Sequence, residues 1–217
     1  MSVKGLDFAE PIFEMDYVEG EERYWVEEPS IVINLAHKTS GVIFLNGTKI
    51  LPLRSTIATG VFVENIEKAL VVKDYLRYDV TNSEIGSQVM GIWKSLYEWS
   101  GREVQKGIPY HKTEKIWLSD DIAVTVCFAA PMAPSGPHKE HAFALDEVHA
   151  QIQGLGKVQM FKESDTDTFY QEYILAPGNT HDVIYNDEGE YPWHQYHSVT
   201  AAVYIPIEIK RTSSGNE

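Results

Sequence analysis

The sequence has almost no cysteine and no excess of positive charge, and each shortage excludes a class of protein. Its single cysteine, Cys127, cannot form an internal disulfide and lies in an apolar run that is typical of a buried strand. The 217 residues carry a net charge of −14, which repels phosphate backbones and anionic membrane surfaces. We therefore expect neither nucleic acid nor a membrane as a partner.

Long apolar runs and several well-known chemical motifs are also absent. No stretch approaches the roughly 18 apolar residues of a membrane-spanning helix, and the N-terminal residues lack the apolar core of a signal peptide. We therefore expect a soluble protein in a reducing, cytoplasmic setting. Phosphate-binding glycine loops, serine-hydrolase elbows and paired-cysteine motifs do not occur either.

The patterns that are present predict a mainly β protein. At 43% hydrophobic residues the chain can bury a sizeable core. Short β-rich runs alternate with turn signals, and Asn46-Gly47 between two such runs predicts a two-residue hairpin. One amphipathic helix is predicted over residues 83–100, where apolar residues recur every three or four positions. Many short strands with one helix indicate an antiparallel barrel or sandwich.

The chain is predicted to divide near its middle. Residues 1–30 are acidic and aromatic, and we interpret them as an arm that packs on the body of the protein or on a neighbouring subunit. Residues 1–105 would contain this arm, strands and the helix, and would pack on or extend a barrel formed by residues 106–210. Residues 211–217 are interpreted as a tail. The pattern leaves open whether the first half is a second, degenerate barrel.

Metal-binding side chains are concentrated in the second half of the chain. Six of the eight histidines fall between residues 138 and 197. Glu147 and His149 are two apart on a predicted strand, so they share a face. Imidazole and carboxylate together suit Fe(II), Mn(II), Zn(II), Ni(II) or Cu(II), and two histidines with one carboxylate are typical of non-haem iron oxygenases. The sequence therefore predicts a transition-metal site here, with Fe(II) favoured.

Two segments resemble the signature motifs of the cupin superfamily. Glu147, six further residues and Gly154 match the end of the first motif, and the turn Pro177-Gly178 followed by His181 matches the second. The spacing of His141 and Glu147 is similar to that in a branch of ring-cleaving dioxygenases. The resemblance covers about residues 110–210 and implies a double-stranded β-helix, or jelly-roll barrel, with its pocket between two sheets.

The resemblance also implies a set of metal ligands. The predicted ligands are His141, Glu147 and His181, with His138 as a candidate fourth. His194 is an alternative that would line the pocket or replace His181 at the metal.

Two further residues are candidates for catalysis. His149 shares a strand face with Glu147 and is interpreted as a general acid or base, or a further ligand. A strand predicted at 182–185 would place Tyr185 on the same face as His181, where it would bind substrate or oxygen.

Three functions are compatible with these features. The first is a metal-dependent enzyme, most concretely an Fe(II) dioxygenase acting on a small organic substrate such as a phenol. The second is a metal-dependent isomerase or lyase of a small polar molecule. The third is a non-catalytic subunit that binds a ligand or has a structural role. Edge strands and the aromatic N-terminal segment lead us to expect a homodimer.

Overall fold

The computed structural model describes residues 2–37, 40–96, 107–139, 141, 145–185 and 189–211. Within these ranges the chain forms seventeen β-strands, one α-helix and one short 3-10 turn. The strands make three sheets in which every pair is antiparallel. The predicted mainly β fold is confirmed.

The first sheet is built by the N-terminal third of the chain. Two long strands that pair with each other run through it, and a small hairpin adds to one of them. Its strands are β1 (Ser2–Leu6), β2 (Glu14–Val26), β3 (Ser30–Asn34), β4 (Ile43–Leu45), β5 (Thr48–Ile50), β6 (Ser55–Ala58) and β7 (Val61–Lys73). The order is β1-β2-β7-β3-β6, with the β4-β5 hairpin attached to β7.

Two sequence expectations can be compared with this sheet. The predicted hairpin is present, since Leu45 pairs with Thr48 and both Asn46 and Gly47 have the positive φ angles of a tight hairpin turn. The segment interpreted as an arm forms β1 and β2, which pair with each other and, through β2, with β7. The reason is burial, because Met15 and Tyr17 lie two apart on β2 and both enter the main core.

The other two sheets come from the rest of the chain. Their strands are β8 (Lys94–Ser95), β9 (Tyr110–Lys112), β10 (Ile116–Trp117), β11 (Ile122–Val124), β12 (Cys127–Ala129), β13 (Leu145–Gln153), β14 (Gly156–Phe161), β15 (Phe169–Leu175), β16 (Trp193–Ser198) and β17 (Ala202–Lys210). The second sheet has the order β10-β11-β17-β12-β9-β8, with β13 also paired to β17. The third sheet has the order β15-β14-β16.

Strand β13 has two faces of different chemistry, and this positions the site. Val148, Ala150 and Ile152 belong to the main core, which also contains residues of the first sheet such as Ile33 and Leu70. Alternation sends the residues between them to the opposite side. That side is polar and buried, and its residues are Glu147, His149 and Gln151.

A second cluster of buried side chains joins the second and third sheets. It includes Cys127 and Tyr204 of the second sheet and Val158, Met160 and Tyr196 of the third. Cys127 is buried and unbridged, as expected. The polar face of β13 is therefore directed into an interior that two facing sheets enclose. The division of the chain near residue 105 stays a prediction.

The helix α1 (Ser83–Ile92) is shorter than predicted. Asn82 caps it by accepting a hydrogen bond from the Glu84 N–H at 2.8 Å. It ends because Trp93 takes an extended backbone and buries its ring. Residues 97–100 of the predicted helix lie outside the described residues. Among the described residues, no helix has both the length and the apolar character needed to cross a membrane.

Candidate metal centre

Four residues from different parts of the second half converge in the interior. Glu147 lies on β13 and His194 on β16, while His138 is joined to His194 by two backbone hydrogen bonds of 2.9 Å. His141 follows three residues later. Each of these four residues offers one side-chain nitrogen or oxygen atom, and the four atoms all lie within 4.8 Å of one another.

The spacing of these atoms suits a common ion. His194 Nε2 lies 3.1 Å and His141 Nε2 4.0 Å from the same carboxylate oxygen, Oε2 of Glu147. Donors about 2.1 Å from one ion are about 3 Å apart when adjacent and about 4 Å apart when opposite. The two distances to Glu147 Oε2 fall in that range.

The hydrogen bonds of the imidazoles direct their free nitrogens inward. Nδ1 of His138 lies 3.0 Å from the Gly136 carbonyl and Nδ1 of His194 lies 3.1 Å from the Pro192 carbonyl. A carbonyl only accepts, so Nδ1 carries the proton and, in the neutral ring, Nε2 presents a lone pair. Such backbone contacts are typical of histidines that bind metals through the other nitrogen.

One buried atom of the cluster lacks a partner. Nε2 of His141 makes no hydrogen bond to any described residue. Nε2 of His194 meanwhile faces the Glu147 carboxylate, so two acceptors oppose each other at 3.1 Å. A cation between these groups would satisfy all of them, and the donor set of three imidazoles and one carboxylate suits a divalent transition metal. The residues present therefore fit a metal ion.

Glu147 and His138 have the protonation states that a metal requires. Burial raises the pKa of Glu147, but the adjacent His149 and His194 outweigh it and hold that pKa well below its ordinary value. Burial lowers the pKa of His138 to about 3. At neutral pH the site thus combines a carboxylate with neutral imidazole, and no proton has to be removed from either before an ion binds.

His181 stands outside this cluster and contacts His149 instead. Its Nδ1 donates to the Asp182 carbonyl at 2.5 Å, which leaves Nε2 as an acceptor. That Nε2 accepts from both the backbone N–H and Nδ1 of His149, each at 2.9 Å. His149 therefore carries its proton on Nδ1, and its Nε2 presents a lone pair 3.9 Å from Oε1 of Glu147.

The position of His181 follows from the path of the chain around it. Residues 182–185, predicted as a strand, have no regular structure, and the preceding turn runs along β13. Gly178 N–H donates to the Gln151 carbonyl at 3.0 Å, and Thr180 pairs with Ala150. His181 is consequently placed beside His149 rather than at the four-residue cluster.

The first sheet holds this turn from the other side. Ser55 Oγ donates to the Gly178 carbonyl at 3.0 Å, and Thr180 Oγ1 donates to the Leu53 carbonyl at 2.8 Å. Arg54 forms an ion pair with Asp182. The N-terminal part of the chain thus contributes to the position of His181, and through it to that of His149.

Tyr185 is not among the residues that the structure brings together. Its ring is 41% exposed, and its hydroxyl bonds to Asp146 and Arg211. Burial and the Asp146 carboxylate raise its pKa to about 12. The tyrosine at the cluster is Tyr191, whose hydroxyl donates to Glu147 Oε2 at 3.4 Å.

A cavity of about 160 Å³ opens beside the cluster. The alternation of β17 directs Tyr204, Pro206 and Glu208 into the cavity. The intervening residues at 203, 205 and 207 are apolar and belong to the main core, so this alternation is visible in the sequence. Strand β9 and the residues after it add Tyr110, Lys112 and Lys115. The sequence carries no comparable signal for these two lysines.

Known proteins resemble this chain in structure, whereas no sequence comparison finds a match. No protein-family model matches the chain, and no curated protein matches it. Similar solved structures include a conserved protein of unknown function from Streptococcus pyogenes, with 15% identity over 50% of this chain and 80% of that one and a TM-score of 0.37. KdgF from Halomonas sp. has 15% identity over 48% and 81%, with a TM-score of 0.35. A cupin superfamily protein from Desulfitobacterium hafniense has 13% identity over 48% and 79%, with a TM-score of 0.36. Cupins are thus among the solved structures that this chain resembles.

Proposed function

We propose that the protein is a metal-dependent enzyme whose ion is held by His138, His141, Glu147 and His194. The proposal is carried by the buried Nε2 of His141, which forms no hydrogen bond with any residue that the structure describes. It lies beside the Glu147 carboxylate, which the His194 imidazole already faces at 3.1 Å. Buried polar atoms normally have partners, so such a constellation is costly unless a ligand completes it. His194 takes the place that the motif resemblance assigned to His181.

The reaction that we favour is oxidation of a small organic substrate by dioxygen, with Fe(II) as the ion. When bound, such an ion supplies Lewis acidity and electron transfer. Four protein donors are fewer than the six that a ferrous ion accepts, and the adjacent cavity provides room for a substrate.

His149 is the residue that we assign to proton transfer. Its Nδ1 is committed to His181, so Nε2 is the nitrogen available on the cavity side. A neutral imidazole with a directed lone pair accepts a proton from a bound substrate. His181 is a positioning residue in this scheme, since it fixes the tautomer of His149 without touching the substrate.

A second candidate is a metal-dependent isomerase or lyase that needs no dioxygen. The observation that favours it is the polar cavity wall, where Lys115 and Glu208 lie close to the metal ligands. Ammonium and carboxylate groups beside a metal ion suit proton transfers on a polar substrate. Turnover under strict anaerobiosis would select this candidate, and dioxygen uptake that depends on the metal would select the first.

Elemental analysis of purified variants tests the ligand set. We expect near-stoichiometric metal in the wild type and loss of most of it in His141→Ala and His194→Ala. His197→Ala is the matched control, because His197 lies on the same strand with its side chain directed to Gln159. His181→Ala should retain metal. Retention of metal by His194→Ala with its loss from His181→Ala would contradict the ligand set, and wild-type protein that takes up no metal would contradict the enzyme proposal.

A further inference from the structure

We propose that Tyr191 is a positioning residue of the metal centre, which holds the Glu147 carboxylate so that Oε2 faces the ion and Oε1 faces His149. The inference rests on the proposed metal site, because it concerns how one of the ligands is held. It adds to that site a residue that touches neither the ion nor the substrate, but on which the affinity for the ion depends.

The two oxygens of Glu147 face different groups. Oε2 lies within the cluster, 3.1 Å from Nε2 of His194 and 4.0 Å from Nε2 of His141. Oε1 lies 3.9 Å from Nε2 of His149, the residue assigned to proton transfer. Rotation about the last carbon–carbon bond of the side chain would exchange these roles. Terminal torsions of this kind have broad energy wells, so the side chain by itself does not fix the angle.

The Tyr191 hydroxyl opposes this rotation. It lies 3.4 Å from Oε2 of Glu147, and an ionised carboxylate only accepts hydrogen bonds, so the hydroxyl is the donor. The bond is made to the same oxygen that the metal-binding imidazoles face. A rotated carboxylate would therefore lose the hydrogen bond to Tyr191 as well as the orientation of Oε2 towards the cluster.

The rings around Tyr191 fix the position of this hydroxyl. The Tyr191 ring packs edge-on against His194 and His141, with centroid distances of 5.0 and 5.7 Å and interplanar angles of 81° and 79°. Tyr185 packs edge-on against it at 6.2 Å, and the hydroxyl of Tyr185 bonds to Asp146 of β13. Tyr185, which the sequence suggested for the site itself, thus supports the tyrosine that contacts it.

The cavity does not reach Tyr191. Among the described residues, the cavity lining includes His138, His141 and Glu147 but neither His194 nor Tyr191. A substrate in the cavity and the Tyr191 hydroxyl therefore approach the carboxylate from different sides. Tyr191 is a positioning residue rather than a catalytic one, because it contacts a ligand of the ion and not the substrate.

Co(II) titration of Tyr191→Phe tests the inference without any turnover. The substitution removes the hydroxyl and keeps the ring. Visible absorption of bound Co(II) reports the number and arrangement of its ligands, and competition with a chelator gives the dissociation constant. Loss of a residue that orients a metal ligand typically weakens binding 10- to 100-fold, and 3.4 Å is long for such a bond. We therefore expect a dissociation constant about tenfold higher than in the wild type, together with a changed Co(II) spectrum.

Two further variants separate orientation from packing. Tyr196→Phe is the matched control, since Tyr196 is buried on the same strand as His194 and its hydroxyl donates to Gln151 at 2.9 Å, away from the ligands. It should bind Co(II) with the wild-type affinity and spectrum. Tyr191→Ala removes the ring as well and should weaken binding at least as much as Tyr191→Phe. Denaturant unfolding of each metal-free variant verifies that it is folded.

The outcomes separate this inference from the proposed function. Wild-type protein that binds no Co(II) would overturn the metal site and the inference with it. Wild-type protein that binds Co(II), with an unchanged dissociation constant and spectrum in Tyr191→Phe, would overturn the inference alone, even if Tyr191→Ala binds weakly. Tighter binding by Tyr191→Phe would also overturn it, because the hydroxyl would then only withdraw charge from the carboxylate. The same spectral change in Tyr196→Phe would do so too, since loss of any buried hydroxyl would then be sufficient.

Discussion

Replacing Gly178 by alanine should destabilise the protein at the junction between the first sheet and the site. Gly178 has a φ of +85°, where side chains other than glycine are strained. An added Cβ would also lie 2.7 Å from Cγ1 of Ile57, much closer than van der Waals contact. The left-handed backbone costs an alanine about 1–2 kcal/mol. Crowding of a packed position adds about 1–3 kcal/mol. We therefore expect a loss of about 2–5 kcal/mol in the free energy of unfolding.

The chain offers controls that separate the two costs. Gly60 has a φ of +57° with no atom within 4 Å of an added Cβ, so Gly60→Ala should lose only the backbone cost of about 1–2 kcal/mol. Ile57 is 45% exposed, and its truncation in the Gly178→Ala background should recover the steric part. Denaturant unfolding, with the single and double variants compared as a cycle, measures each contribution.

The same variant has a functional consequence. Gly178 belongs to the turn that places His181 against His149, so a displaced turn should weaken the 2.9 Å contacts between them. Metal content should be retained, because neither histidine is in the proposed ligand set, while metal-dependent turnover falls. The reasoning would be refuted if Gly178→Ala cost no more than Gly60→Ala, or if truncating Ile57 recovered nothing.

Three other results are expected. Zn(II) at about one hundred times its dissociation constant should stabilise the protein by about 2.7 kcal/mol, a rise of about 5–10 °C in a thermal melt, and His194→Ala should show no such rise. Burial lowers the pKa of His181 to about 4, whereas it titrates near 6.5 when unfolded, so the unfolded chain binds more protons between these values. The metal-free protein should accordingly lose stability as the pH falls from about 6.5 to about 4, and constant stability in denaturant unfolding across that range would contradict the assignment. Gln153→Leu removes the amide that bonds to three backbone groups of residues 75–80, which should cost about 2–5 kcal/mol, whereas the exposed Gln171→Leu should cost less than about 0.5 kcal/mol in the same assay.

Features that depend on neighbours in the chain could be predicted from the sequence. The Asn46-Gly47 hairpin and the start of the helix at Ser83 are where the sequence predicts them. The placement of Glu147 and His149 on one buried face follows from the two-residue period of a strand. These features are determined locally, by side-chain spacing and by the backbone angles that particular residues allow.

Features that depend on contacts between distant segments of the chain could be identified only from the tertiary structure. His181 and His194 are both candidate ligands in the sequence. Our proposal of His194 rests on side-chain contacts between β16 and β13 across the interior, while the turn before His181 packs on the first sheet. The two lysines of the cavity enter it through the pairing of β9 with β12 and through the contact of Lys115 with Glu208. The sequence by itself determined the type of fold and the residue types of the site, because both follow from local periodicity. The tertiary structure decided which residues share the site, because a contact between residues far apart in the chain depends on how the sheets assemble.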